Sequence, residues 1–399
     1  MIRFLHTSDW HLGRLLYGKS LLDDQEHALK GLLALVDELP RERKPHALII
    51  AGDIFDRALP PEAAIALFSW FCEETVQKRK LPVFLIPGNH DSNERLGFGS
   101  QLLRLQGLTI FSHVRDALKP ARLKGDQGDE ALVYGIPFVD PQLIAQFLGE
   151  ENLKTPDLSV RALTQKILAE KNSDPELAKL PSILLCHAFV VGGEASESER
   201  DLFIGGSSFV STDAFDGFSY TALGHLHKPQ TAGRESVRYS GSLLSYSKSE
   251  LSHAKSVTEV ELASDGSFKL KTHALPVRRD LIFLEGPLET LIANAAAMTE
   301  RERDSYVIAG LMDTGPVLDA HARLRAVFPN LLHAARSGGY RPTELPSLEA
   351  RRLKETLSDL DLFAEFFQDS TNSPLSDDER EQMIAVLKSI EAADRERSP

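Results

Sequence analysis

Pro87-Gly88-Asn89-His90-Asp91 follows Leu81-Pro82-Val83-Phe84-Leu85-Ile86, a short β-branched and aromatic run that reads as a buried strand. Five polar or breaker residues therefore arrive where that strand leaves its sheet, which is where open α/β sheets place their sites. The same grammar recurs in Phe4-Leu5-His6-Thr7-Ser8-Asp9-Trp10-His11, in Leu48-Ile49-Ile50-Ala51-Gly52-Asp53-Ile54-Phe55-Asp56, in Ile183-Leu184-Leu185-Cys186-His187 and in Tyr220-Thr221-Ala222-Leu223-Gly224-His225-Leu226-His227. Each is an apolar strand ending in side chains that can ligate a metal.

Outward from these stretches, the chain alternates strand and helix. Residues 2–7 read as a first strand and Asp23 to Leu39 as an amphipathic helix with Leu29, Leu32, Leu33 and Val36 on one face. A strand over 46–51, a helix from Pro60-Pro61 and the strand 82–86 complete a βαβαβ run, hence a parallel sheet. A helix is expected over Gln101–Leu105, strands near 108–111 and 132–136, helix across 141–170, and a return to the sheet at 183–186. The stretch 192–206 is small, polar and without period, the mark of a long functional loop. Strands at 218–223, 236–240, 257–262 and 268–272 are expected to be antiparallel and to complete a second sheet. This first domain spans 1–275. From 276 to 340 the order strand, helix, strand, helix, strand predicts a small α+β unit, and 341–399 carries two amphipathic helices marked by Leu353, Leu357, Leu360 and Phe363 and by Met383, Ile384, Leu387 and Ile390.

Composition narrows the classes. The 399 residues suggest two or three domains, and 42% hydrophobic with 26% charged residues is ordinary for a globular protein. No apolar run approaches the roughly 18 residues that span a bilayer, and the N-terminus goes straight into a strand without a secretory leader, so a cytoplasmic location is expected. Cys72 and Cys186 are the only cysteines, with no Cys-x-x-Cys, which leaves neither a disulfide framework nor a thiolate zinc knuckle. A net charge of −13 argues against a surface coated for nucleic acid, although a carboxylate-rich pocket attracts phosphates once it holds divalent ions.

The strand ends supply Asp9, His11, Asp53, Asn89, His187, His225 and His227, seven candidate ligands and more than one ion needs. With Asp53 as bridge, two ions could each take about four protein ligands and leave room for water and substrate, the arrangement used in phosphoryl chemistry. Imidazole, carboxylate and amide without thiolate suit Mn²⁺, Fe²⁺ or Zn²⁺ better than Mg²⁺ or Ca²⁺. His90 follows a ligand without being one and is the expected general acid, Asp56 the expected acceptor for its other ring nitrogen, and Arg57 a phosphate contact. Any one of these histidines alone would more often be structural; the joint pattern carries the argument. His6, His27, His46, His113, His253, His273, His321 and His333 lack that context and read as structural, and Trp10 reads as a packing anchor.

At these residues the chain resembles the calcineurin-like metallophosphoesterase superfamily, whose order is Asp-x-His, Gly-Asp-x-x-Asp, Gly-Asn-His-Asp/Glu, a later His and Gly-His-x-His; every element is present. A narrower likeness, to the bacterial nucleases of that superfamily that process DNA breaks, extends to Val237-Arg238-Tyr239-Ser240-Gly241-Ser242 and Glu355-Thr356-Leu357-Ser358-Asp359-Leu360. The resemblance implies an α/β fold of four layers, αββα, with a small α+β capping domain and C-terminal helices. It also implies two Mn²⁺ ions, exonuclease and endonuclease action on DNA ends and hairpins, a homodimer paired through the helices around Phe68, Trp70, Phe71, Leu102 and Leu103, and a partner ATPase. No Gly-x-x-x-x-Gly-Lys-Ser/Thr occurs, so nucleotide would be bound by that other chain, against the helices of a tail with 14 acidic and 8 basic residues. Arg57 is more phosphatase-like than nuclease-like, and Glu194–Arg200 is unusually acidic for a surface near DNA. A phosphomonoesterase or cyclic-nucleotide phosphodiesterase on the same site is the rival expectation, and a metal-less scaffold is disfavoured because no expected ligand is missing.

Overall fold

The computed structural model describes residues 1–199, 209–313 and 317–337, with isolated positions at 360, 376, 380 and 382–384. Apart from those positions, the helices expected in 341–399 lie outside the described residues, as does the end of the expected loop at 200–206. The chain divides into two units, Met1–Leu281 and Ile282–Pro399.

In the first unit, β1 (Ile2–Thr7) leads through α1 (Leu22–Glu38) to β2 (Ala47–Ala51), and α2 (Glu62–Cys72) leads to β3 (Val83–Ile86), with β4 (Leu108–Ile110) beyond. These four strands are parallel neighbours in that order. There follow β5 (Ala121–Lys124), β6 (Glu130–Ile136), α3 (Pro141–Leu148), α4 (Pro156–Ser173), β7 (Ser182–His187), β8 (Tyr220–Gly224), β9 (Gln230–Ala232) and β10 (Arg234–Tyr239). Their strands form a second sheet in the order β9-β10-β8-β7-β6-β5, in which β6, β7, β8 and β10 run parallel. The chain then returns: β11 (Ser256–Leu262) pairs antiparallel with β1 and β12 (Phe268–Ala274) with β11, at the edge of the first sheet.

Two expectations are corrected here. The strands over 218–223 and 236–240 are parallel, not antiparallel, and those over 257–262 and 268–272 belong to the first sheet, not the second. Apolar patterning marks a strand but does not choose its neighbour. The helix expected across 141–170 is two: Gly149, at φ +74°, ends α3 in the left-handed conformation, and the Thr155 side chain caps α4 by accepting from the Leu158 N–H, with Pro156 in its first turn.

The layers follow from which faces are apolar. Phe4, Ile49, Phe84 and Val260 of the first sheet meet Val133, Ile183, Leu185 and Tyr220 of the second in one buried cluster. The outer face of the second sheet packs Tyr134, Leu184 and Cys186 against Ile144 of α3 and Val160, Leu163 and Ile167 of α4. On α1 the i, i+3, i+4 set Ala28, Leu29, Leu32, Leu33 and Val36 is buried. Both faces of the central strands are covered, which is why they read as unbroken apolar runs; each buried Phe, Ile or Leu is worth roughly 1.5–3 kcal/mol over leaving it exposed. This is the αββα sandwich.

The second unit opens with β13 (Leu281–Gly286) and continues through α5 (Leu288–Ala295), β14 (Tyr306–Leu311), α6 (Ala320–Val327) and β15 (Leu331–Arg336). The sheet order is β13-β14-β15, and Leu288, Leu291, Val307, Leu324, Phe328 and Leu331 make its core. Among the described residues no helix is long and apolar enough to cross a membrane.

Candidate metal centre

Because β1, β2 and β3 of one sheet and β7 and β8 of the other are parallel sets, their carboxyl ends gather at one edge of the sandwich. The sheets are laced together there. Asp9 Oδ1, after β1, accepts from the His225 N–H, after β8, at 2.9 Å; His187 Nδ1, ending β7, donates to the Ala51 carbonyl, ending β2, at 2.9 Å. Asp9, His11, Asp53 and His225 all have positive φ (53°, 47°, 50° and 111°), a conformation that non-glycine residues adopt only where surroundings enforce it. Close approach explains two glycines: a Cβ at Gly88 would lie 2.1 Å from Asp53 Oδ1, and one at Gly224 would lie 1.8 Å from the Ala51 carbonyl.

Among the described residues three clusters of ligand atoms result: Asp9 with His11 and His227, Asp9 with Asp53 and His187, and His11 with Asp53 and His90. Asp53 Oδ2 lies between them, 3.6 Å from His11 Nε2 and 3.5 Å from His187 Nε2. His225 is in none of the three; its ring sits beside that of His187, with centroids 5.5 Å apart. Asn89 Oδ1 is 2.9 Å from His187 Nε2.

The donor set fits divalent ions on the geometry alone. The proton of His187 is spent at Nδ1 on the Ala51 carbonyl, so its bare Nε2 faces Asn89 Oδ1 at 2.9 Å, two lone pairs turned to one point as a shared cation would need. His11 Nε2 and His227 Nε2 stand 3.0 Å apart, the spacing of two imidazoles at right angles on one ion with bonds of about 2.1 Å. Asp9 Oδ2 and His11 Nδ1 are buried without a hydrogen-bond partner among the described residues. Burial, then the neighbouring Asp53, pushes the Asp9 carboxyl well above the usual carboxylate range, while burial and adjacent imidazoles hold His11 and His225 well below theirs and burial lowers His187. Two carboxylates and several neutral imidazoles packed together are short of positive charge.

Around the ligands the structure refines the expected roles. His90 Nδ1 does meet Asp56, but at the backbone carbonyl, 2.7 Å away, and not at the carboxylate. That carboxylate receives Arg14 Nη1 at 3.1 Å. Arg57, the expected phosphate contact, is exposed, and Arg14 is the guanidinium set among these side chains, its Cζ 5.1 Å from the centre of the Tyr246 ring. Asp91 is a strut: its carboxylate accepts from the N–H groups of Gly88, Ile54 and Phe55 at 2.9, 3.0 and 2.9 Å and so ties the loop after β3 to the loop after β2. Gln25 holds the first loop, donating from Nε2 to the carbonyls of Trp10 and His11 at 3.1 and 2.7 Å and accepting from the Gly13 N–H at 3.0 Å. Trp10 is fully buried and edge-on to Phe71, which packs inward and is not part of an exposed face. Arg14, Gln25, Tyr246 and Glu250 escaped the sequence reading because none stands at a strand end; only the neighbourhood of Arg14 to Asp9-Trp10-His11 could have hinted at a role.

A four-layered αββα sandwich that gathers carboxylate, imidazole and amide side chains at its strand ends defines a metal-dependent phosphoester hydrolase. Residues 2–229 match the calcineurin-like phosphoesterase family, and the chain belongs to it. Residues 277–371 match a second family, described as the type 5 capsule protein repressor C-terminal domain. The SbcD component of the nuclease SbcCD from Staphylococcus epidermidis is 29% identical over 335 residues, which are 83% of this chain and 84% of that protein. A solved structure with 15% identity, covering 68% of this chain and 98% of its own at a TM-score of 0.38, is too distant to add to the argument.

Proposed function

We propose that this chain is the nuclease subunit of an SbcCD-type complex, hydrolysing phosphodiester bonds of DNA as a double-strand exonuclease and a single-strand or hairpin endonuclease. The observation that carries the reading is the gathering of Asp9, His11, Asp53, His187 and His227 ligand atoms where the two sheets meet, with His187 Nε2 turned to Asn89 Oδ1, in a chain whose likeness to a nuclease component runs through both of its units. Asp9, His11, Asp53 and His227 would hold one ion and Asp53, Asn89, His187 and His225 the other, with Asp53 shared; Mn²⁺ is the first choice. When bound, the ions supply Lewis acidity toward the phosphoryl oxygens.

The chain's own groups do the rest. The Asp56 carbonyl accepts from His90 Nδ1–H at 2.7 Å, which leaves Nε2 for the substrate; in the imidazolium form Nε2 would carry the proton that the leaving oxygen needs. Arg14, anchored on the Asp56 carboxylate, places a positive charge near the imidazole of His11. Gln25 and Asp91 keep the two ligand loops from drifting, which preserves alignment of the attacking water and the leaving group.

On this reading residues 1–275 are the nuclease domain, 276–340 a capping domain and 341–399 the element that binds an SbcC-type ATPase. Exposed Phe98, Leu102 and Leu105 support a homodimer formed through the segment after β3. The test compares Mn²⁺-dependent cleavage of linear duplex DNA with hydrolysis of p-nitrophenyl phosphate. Cleavage of DNA that EDTA abolishes is expected; turnover of the monoester alone would replace this reading with the phosphomonoesterase one.

A further inference from the structure

On the side of His227 away from the ligands lies a buried charged cluster that no step above uses. His227 Nε2 faces the metal side, 3.0 Å from His11 Nε2. Its Nδ1 is 2.7 Å from Ser198 Oγ and 3.2 Å from the Glu250 carboxylate, and Glu250 is fully buried. Lys255 is also buried and spends its three ammonium protons on Glu250 Oε2 at 2.5 Å, Ser242 Oγ at 2.9 Å and the His227 carbonyl at 3.0 Å. Ser242 in turn donates to the Leu244 carbonyl at 2.8 Å.

Proton counting then decides the tautomer of His227. The Glu250 carboxylate, paired with Lys255, accepts only, and the Ser198 hydroxyl in close contact with it spends its proton there. Ser198 Oγ can therefore only accept from the imidazole. Both neighbours of Nδ1 are acceptors, so Nδ1 carries the proton and Nε2 is bare.

We infer that Glu250, charged and fixed by Lys255 and bridged by Ser198, is a positioning residue that locks His227 with its proton on Nδ1 and its Nε2 lone pair turned to the metal side. The acidic loop gains a purpose in the same arrangement. Glu199 accepts from the His227 N–H at 2.8 Å, so Ser198 and Glu199 together seat the loop on the Gly224-His225-Leu226-His227 segment. Carboxylate or hydroxyl partners of this kind set both the orientation and the basicity of a ligating imidazole. The inference rests on the metal reading for its consequence but not for its tautomer.

The test uses the full chain, freed of metal and labelled with ¹⁵N-histidine. Long-range ¹H–¹⁵N spectra read the tautomer, with the His227 signals identified by their loss in His227→Asn. A protonated Nδ1 and bare Nε2 are expected. In Glu250→Leu/Lys255→Met, which removes both charges and so leaves neither buried alone, His227 should average between tautomers, and Mn²⁺ affinity measured by calorimetry should fall roughly 10- to 100-fold at one of two sites. A wild-type spectrum with the proton on Nε2 overturns the inference, as does a folded double variant that keeps both the tautomer and the affinity. Should the double variant not fold, the wild-type spectrum alone decides. A wild-type chain with the expected tautomer that binds no Mn²⁺ instead overturns the metal reading.

Discussion

His6 joins the two sheets just upstream of the ligands, and replacing it with glutamine should change how stability depends on pH in a way that can be worked out beforehand. The imidazole is fully buried; Nδ1 accepts from the Tyr220 hydroxyl at 3.0 Å and Nε2 donates to the Leu223 carbonyl at 3.2 Å, so a neutral ring satisfies both contacts. Burial first, and the Arg238 charge second, lower its pKa to about 3. In the unfolded chain it titrates near 6.5. Between those values the unfolded state binds a proton that the folded state does not, so stability rises with pH across this window and is lost as pH falls below about 6.5 toward 3. Each pH unit well inside the window is worth about 1.4 kcal/mol, which makes the loss from pH 7.5 to pH 5.0 about 2 kcal/mol for this one group. His6→Gln cannot titrate there. Other groups shift too, but they do so in both proteins, so the quantity to follow is the stability difference between wild type and His6→Gln. Urea titrations of the metal-free chain should show wild type losing about 2 kcal/mol relative to the variant between those pH values. Tryptophan fluorescence reports this unit alone, because Trp10 and Trp70 are the only tryptophans. A difference that stays constant to within about 0.5 kcal/mol would refute the reasoning.

Three other outcomes are expected. Gly224→Ala forces a Cβ to within 1.8 Å of the Ala51 carbonyl and 2.8 Å of His187 Nδ1, where backbone must move; a loss of about 3 kcal/mol and weakened Mn²⁺ binding should appear in urea titration and calorimetry. Asp91→Ala releases three backbone N–H groups and uncouples two ligand loops, so Mn²⁺ affinity should drop roughly 10-fold or more, and unchanged calorimetry would show that the strut does not matter. Asp53→Asn should lose metal, whereas His90→Ala should retain both ions and lose turnover by roughly 10²- to 10⁴-fold; a His90→Ala chain that loses metal in stoichiometric analysis would make His90 a ligand.

The parallel βαβαβ run of the first sheet was legible in the chain itself, as were the strand-end side chains proposed as ligands. A strand covered on both faces must be apolar throughout, and a parallel sheet delivers the residue after each strand to the same edge, so Asp9, Asp53 and Asn89 could be gathered from local grammar alone. Asp91 was legible as part of Gly88-Asn89-His90-Asp91 but not as a strut, since its partners Ile54 and Phe55 come from another loop.

What only the tertiary structure decided is everything that depends on one sheet lying against the other. Val257, Val260 and Leu262 fit either sheet by pattern, and only the pairing of Ile2 with Leu262 and Phe4 with Val260 assigns them to the first. Asp56 holds His90 by its carbonyl because the loop's path turns the carboxylate toward Arg14. Glu250 sits in a serine- and lysine-rich stretch that reads as solvated, yet it is buried against His227, and Ser198, 52 residues away, closes over both. Local sequence determines which backbone a segment prefers and which face is apolar. The contacts that orient an imidazole or satisfy a buried carboxylate join residues such as Asp9 and His225, 216 positions apart, and these come into reach only after the sheets have packed.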